Sequence, residues 1–271
     1  MNATLSKICV SDRKLFSGWR KMREIFGTSV EKAERHHLTE VVSTQDEVRV
    51  RLEEAGLSRE AISPWHVITV VTAEHQTAGR GRRRKKWVDT QGALLLSAGF
   101  ADDLSEKEFP ARVGKSAAAA LLVSVQSLFF GKPHTAAIKW PNDLVIGGRK
   151  VAGLLVETFM LKKQLRGTVL GIGVNVTDVP KEVTEAVALN AFSPEVTKDN
   201  FRIRFLQAFD VMLASKALTR TEYESGLVLP ARVQTAKGEG KPISYDGGII
   251  TVETKSGRVE LTDADIISWE G

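Results

Sequence analysis

The residues best suited to chemistry fall in four short segments between positions 79 and 176. The first is Gly79-Arg80-Gly81-Arg82-Arg83-Arg84-Lys85-Lys86-Trp87. Glycines let the backbone turn sharply and come close to a ligand. Arginines add forked donors that match phosphate or carboxylate. Taken alone, the run also suits a solvated charge cluster, a nuclear-localisation patch or a nucleic-acid loop. The second segment is Lys139-Trp140-Pro141-Asn142-Asp143, where proline turns the chain and leaves Asn142 and Asp143 at a sheet edge. The third, from Gly148 to Glu157, is an apolar strand with a cation, Lys150, at its start and Gly153 inside it. The fourth is Gly171-Ile172-Gly173-Val174-Asn175-Val176. Glycine within a strand marks either a bulge or the close approach of another group, here a planar ligand.

Elements that would hold these segments can be read around them. Thr44-x-x-Glu47 predicts a capping box, opening a helix that Gly56 ends. Residues 67–73 and 94–100 read as buried strands, and 111–130 as a helix rich in Ala and Leu. Short strands follow at 136–140 and 144–146, and Gly147-Gly148 predicts a tight turn into a strand at 150–159, paired with 165–176. Helices are expected at 181–189 and 198–218. Beyond Gly226 short alternating strands with glycine turns predict a small β-barrel. The fold class is therefore α+β: a mixed, largely antiparallel sheet with flanking helices, then a β module. Three regions are expected: a basic extension over 1–40, a main domain over 41–225 and the β module over 226–271.

Composition narrows the function. The 271 residues are 42% hydrophobic and 26% charged, which suits a globular chain and excludes a disordered or collagen-like one. The single cysteine, Cys9, cannot form an internal bridge, so a reduced compartment is expected. No apolar run reaches the roughly 18 residues of a membrane span. The net charge is +5, yet six cations lie between Arg80 and Lys86 and six more in the first 30 residues, which leaves the remainder acidic. One focused anion site is indicated, not a general nucleic-acid coat. The basic N-terminus admits a targeting segment or a packed helix. Gly114-Lys115-Ser116 lacks the partner glycine of a phosphate loop, with Phe109 in its place. Gly79-Arg80-Gly81 and Gly171-Ile172-Gly173 each lack the third glycine of a dinucleotide fingerprint. The histidines lack metal-ligand spacing.

In their order and spacing, the four segments resemble the biotin protein ligases. That family carries a Gly-Arg-Gly-Arg-x-Gly-Arg-x-Trp loop, a Lys-Trp-Pro-Asn-Asp turn, a Lys-x-Ala-Gly-x-Leu-x-Glu strand and a Gly-x-Gly-x-Asn strand. The resemblance covers about residues 42–176, and the β module resembles the family's SH3-like tail. Arg84 stands where the family loop has glycine, and Ser43-Thr44-Gln45 where it often has Ser-Thr-Asn. The resemblance implies a class II synthetase-like catalytic domain with a C-terminal SH3-like β-barrel. It also implies an enzyme that joins biotin to ATP as biotinyl-5'-AMP and transfers biotin to a lysine of a carboxylase carrier domain. Ser43, Thr44, Gln76, Gly79, Arg80, Gly153 and Leu155 would hold biotin. Arg82, Trp87, Asn142, Lys150 and Asn175 would hold ATP or the adenylate. Lys150, Arg82 and Asp143 would be catalytic, with Asp143 a candidate base. Mg²⁺ would come with ATP, without a fixed protein site. Neither nucleic acid nor membrane is an expected partner, and a monomer or homodimer is expected. The expected location is cytoplasmic, with mitochondria as the alternative. The lipoate ligases, which share this chemistry, carry a glycine run ending in histidine that is missing here.

Overall fold

The fold was obtained as a computed structural model. It describes residues 30, 32–60, 62, 65–129, 135–236, 238–246 and 249–262, with the backbone alone for 266–270. Of Arg84 and Lys163, too, only the backbone is described. Most of the basic N-terminal segment, including any helix there, lies outside these residues.

Eight strands form the main sheet: β1 (Glu34–Val41), β2 (Thr69–Gln76), β3 (Ala93–Asp102), β4 (Ala136–Lys139), β5 (Asp143–Ile146), β6 (Arg149–Met160), β7 (Arg166–Asn175) and β8 (Leu227–Val228). Their order is β1-β2-β3-β7-β6-β5-β4-β8. The two outermost pairings, β1 with β2 and β4 with β8, are parallel, and the others are antiparallel. Strand β1 starts at Glu34, so the first strand of the sheet lies inside the span assigned to an extension, and the boundary at 40 is too late. Likewise, the main sheet closes at Val228, beyond the boundary at 225.

The period of two divides the sheet's residues between two cores. Leu94, Leu96, Ala98 and Phe100 of β3 join Leu170, Ile172 and Val174 of β7 and Leu154 of β6 on one face. Helix α2 (Phe109–Gln126) and helix α3 (Lys198–Ala214) cover that face through Val113, Ala117, Leu121, Phe201, Phe205 and Phe209. On the other face, Val48 and Leu52 of α1 (Thr44–Glu54) pack on Val71 and Val169. This second cover is only 11 residues long. The rest of that face is left for a ligand.

Several local expectations change. Ser43, not Thr44, caps α1, its side chain accepting from the Gln45 amide, while Gly56 ends the helix at φ +60° as expected. Thr44 is pulled inward by other partners. The segment 181–189 is not helical. Its amides bond to the start of β6 instead of to one another: Lys150 N–H donates to Glu185 O at 2.7 Å, and Val187 N–H to Lys150 O at 2.9 Å. The long helix expected at 198–218 is two helices, α3 and α4 (Lys216–Gly226), because extended Ser215 ends one and its side chain caps the next at the Leu218 amide. The β module comprises β9 (Arg232–Thr235), β10 (Gly238–Asp246), β11 (Ile249–Thr254), β12 (Gly257–Leu261) and β13 (Ile266–Glu270). It is an open antiparallel sheet ordered β12-β11-β10-β9-β13 rather than a closed barrel. Among the described residues, none of the strand pairings joins its two ends.

Candidate active site

A cavity of about 630 Å³ opens on the face that α1 leaves bare. Its floor is made by the two glycine-bearing strands. Gly153 of β6 and Gly173 of β7 are direct partners, and Gly171 pairs with Leu155. All four sit on the same face by strand periodicity. A methyl group on Gly173 would lie 2.3 Å from Cε2 of Trp87, and one on Gly171 would lie 2.6 Å from Cδ of Gln45. The indole of Trp87 therefore lies flat against strand backbone, which only glycine permits. Gly153 and Gly173 are thus neither bulges nor accidents. They are gaps filled by a ring.

One end of the cavity is polar and neutral. Gln76, at the end of β2, accepts through Oε1 from the Thr44 backbone N–H at 2.8 Å and from its hydroxyl at 3.0 Å. The Thr44 hydroxyl also meets Ser97 Oγ at 2.8 Å. With its oxygen so committed, Gln76 keeps its amide NH₂ as a donor. Asp89 fixes the end of β2: it accepts from the Gln76 amide at 3.0 Å and contacts His75 Nδ1 at 2.9 Å.

The other end is cationic. Arg82, Arg83, Lys85, Lys86, Lys139 and Lys150 line it. Lys150 Nζ is 2.7 Å from Asp143 Oδ1 and 5.5 Å from the centre of the Trp87 ring, a cation–π distance. Arg82 Nη1 donates to Asn142 Oδ1 at 3.5 Å. Burial pushes its guanidinium down to about 10, helped by neighbouring Arg83 and opposed by Asp143. A cation held this way is poorly solvated and gains from an arriving anion. Trp87 carries a second unmet need: its indole N–H is buried without an acceptor.

The loop bearing these cations folds back on itself. Gly81 N–H donates to Lys85 O at 2.7 Å and Trp87 N–H to Gly79 O at 3.0 Å. Arg83, inside the short 3₁₀ turn Arg82–Arg84, takes the left-handed φ of 54°. Arg80 ties the loop down. Its Nη1 bonds both carboxylate oxygens of Asp46, at 2.7 and 2.8 Å, and its Nη2 bonds Glu157 at 2.9 Å. Those two carboxylates raise its guanidinium still further above its ordinary value, against the effect of burial.

Of the residues named from sequence, Thr44, Gln76, Arg80, Arg82, Trp87, Asn142, Asp143, Lys150, Gly153 and Leu155 all line the cavity. Three do not. Ser43 is spent as the helix cap. Gly79 is sealed beneath Trp87, where a methyl group would meet Trp87 O at 2.7 Å. Asn175 is buried behind the site, its side chain reaching Lys150 O at 3.5 Å. Two roles change as well. Asp143 is the counter-ion of Lys150 rather than a free base. The Arg80 guanidinium is held by two carboxylates, so it closes the loop instead of presenting itself to a ligand. Sequence reasoning missed Gln45, which lies over Gly171, and Glu185, which the strap after Pro180 brings to the rim. Gln45 was adjacent to two named residues, but Glu185 left no local signal.

Comparison with known proteins agrees with this geometry. Residues 44–175 match the model of the Biotin/lipoate A/B protein ligase family. A Bacillus spizizenii protein named bifunctional ligase/repressor BirA is 30% identical over 73% of this chain and 65% of its own. A Mycobacterium tuberculosis protein named biotin–[acetyl-CoA-carboxylase] ligase is 39% identical over 42% of this chain and 41% of its own. The chain thus spans less than two thirds of the length of these relatives. A solved biotin protein ligase from Aquifex aeolicus, in complex with biotin and ATP, shares the fold. It superimposes with a TM-score of 0.64 at 24% identity, over 86% of this chain and 97% of that one.

Proposed function

Because the chain belongs, through residues 44–175, to the Biotin/lipoate A/B protein ligase family, we propose that it is a biotin–protein ligase, an enzyme that activates biotin with ATP and passes it to a protein lysine. The observation that carries this reading is a single cavity joining a glycine-floored slot to a cluster of cations. The slot accepts a flat, largely apolar body; the cations accept a carboxylate and a polyphosphate.

In the first step the biotin carboxylate attacks the α-phosphorus of ATP. An acyl–oxygen–phosphorus bond forms, and the bond to pyrophosphate breaks. Two anions must meet, and the protein supplies fixed positive charge where they do so. Lys150 and Arg82 fill that role, with Asp143 holding Lys150 and Asn142 steadying Arg82. The Gln76 amide and Thr44 suit the ureido group, which needs donors and acceptors together. Trp87 suits the adenine or the edge of the acyl chain. In the second step a lysine amine of a carboxylase carrier domain attacks the anhydride carbonyl and expels AMP. Mg²⁺ would neutralise the triphosphate. Among the described residues no three acids or histidines converge on a metal, so the nucleotide is its proposed carrier. The basic loop is turned into the cavity, which supports a small anionic substrate over a nucleic acid. A cytoplasmic location goes with the proposal.

The test is ATP–pyrophosphate exchange with biotin or lipoate as the acid, followed by label transfer to a biotin carrier domain. Exchange with biotin alone is expected. Equal or greater exchange with lipoate would assign the other half of the family.

A further inference from the structure

The residues already described are held in place by neighbours, and one of those neighbours belongs to the wrong core. Strands β4 and β5 form a tight hairpin, Lys139 pairing with Asp143, so its loop is only Trp140-Pro141-Asn142. The last residue of the loop faces the cavity. Asn142 Nδ2 donates to Leu154 O at 2.8 Å, its backbone O accepts from Leu154 N–H at 2.9 Å, and its Oδ1 accepts from Arg82. The first residue faces the opposite way. Trp140 is 3% exposed, and its side chain is packed with Val233, Ile250, Val252 and Leu261, which are the core of the C-terminal sheet. Its backbone N–H donates to Val228 O at 3.0 Å, on the connection into that sheet.

We propose that Trp140 is a positioning residue for the reaction: anchored in the C-terminal sheet, it fixes the three-residue loop so that Asn142 holds Arg82, and Asp143 holds Lys150, at the cationic end of the cavity. The lever is short. Two bonds along the chain separate the anchor from Asn142, and the hairpin ends at Asp143. Loss of the indole leaves a cavity in the C-terminal core and frees the loop to shift toward it. A shift of about 1 Å at the reacting groups costs on the order of 10²-fold in rate. The biotin slot, built on Gly153, Gly173 and Gln76, is not on this lever.

The inference rests on the ligase reading for its kinetic test, so a second readout independent of substrate accompanies it. In Trp140→Ala, kcat for biotin-dependent pyrophosphate exchange should fall by about 10²-fold, with biotin affinity within twofold of wild type. Trp140→Phe should recover most of the loss. Trp140→Ala combined with Asn142→Ala should be no worse than the poorer single variant, because both act through one contact. The NMR signal of the Asn142 side-chain amide should move in Trp140→Ala and return in Trp140→Phe. If Trp140→Ala does not fold, Val252→Ala, which loosens the same anchor from within the C-terminal sheet, should shift the amide and lower kcat in the same direction. An unmoved Asn142 amide, or losses that multiply in the double variant, would overturn the inference. A moved amide in a chain without biotin-dependent exchange would uphold it and defeat the ligase reading instead.

Discussion

The floor and the lid of the cavity achieve opposite things by opposite means. The floor works through missing atoms. Gly153 faces Gly173 across β6 and β7, and the space their side chains would take is occupied by the Trp87 ring. The lid works through charge. Six consecutive cations, interrupted by one glycine, are drawn toward the sheet by Asp46 and Glu157 acting on Arg80. Shape defined by backbone does not respond to salt, whereas ion pairs at partly exposed positions are screened by it. The difference teaches that recognition of the acid and handling of the phosphates are separable, and substitutions should sort by salt dependence.

The largest effect is expected at the floor. Gly173→Val places branched carbon where Trp87 Cε2 already lies within 2.3 Å of a modelling methyl position. Exchange should fall below detection, and to the same extent at low and high salt. Recovery at any salt concentration would erase the distinction. Next comes Lys150→Ala, which removes a cation at the developing charge and should cost about 10²–10³-fold in adenylation while leaving biotin affinity nearly intact. Stopped-flow binding and exchange assays together read this. A parallel loss of affinity would move Lys150 from the lid's chemistry to the floor's.

A smaller, pH-dependent effect is expected at Arg82. Its guanidinium is held down at about 10 in the empty site, and a bound polyanion draws it back up. Pyrophosphate affinity from this group should therefore be complete below pH 10 and decline as pH rises above it. The rise in melting temperature with pyrophosphate, followed from pH 7 to 10.5, should show that decline in wild type. Arg82→Gln should show a reduced rise at pH 8 and no further fall attributable to this site. Arg80→Ala should do least. Partly exposed ion pairs contribute about 0.2–1 kcal/mol, so hydrogen exchange of residues 79–87 should quicken about two- to fivefold, with salt mimicking part of the change in wild type. An Arg80 variant as inactive as Lys150→Ala would mean that Arg80 contacts substrate after all.

The sequence made the floor more legible than the lid. Glycines at 153, 171 and 173 stand out within apolar strands, and period two assigns them to one face without any three-dimensional knowledge. The lid's basic residues were equally visible, but the purpose of Arg80 was not. Its partners lie 34 and 77 residues away, and no periodicity links positions brought together by tertiary structure. The same limitation hid Glu185. Residues 181–189 have ordinary helical composition, yet their hydrogen bonds go to Lys150 in another strand. Local propensity cannot see a competing partner 35 residues away. Ser43 and Thr44 show the reverse case. Adjacent hydroxyls both suit a helix start, and the buried oxygen of Gln76 decides which one turns inward.

The two-residue strand β8 has a consequence for how the chain is made. It completes the edge of β4 by pairing Ile138 with Leu227 and Lys139 with Val228. Some 89 residues separate these partners in sequence. During synthesis the β4 edge, and the Trp140 anchor beside it, must therefore wait until both helices after β7 have emerged. An unpaired edge is a template for association with other chains, and long-range pairings of this kind are slow to form. The vulnerable interval in biogenesis thus falls late, between completion of the glycine floor and arrival of Val228. A chain shortened to the apparent domain boundary at 225 would be held in that interval permanently. Dissection of the two sheets for separate expression should therefore cut elsewhere than between α4 and β8.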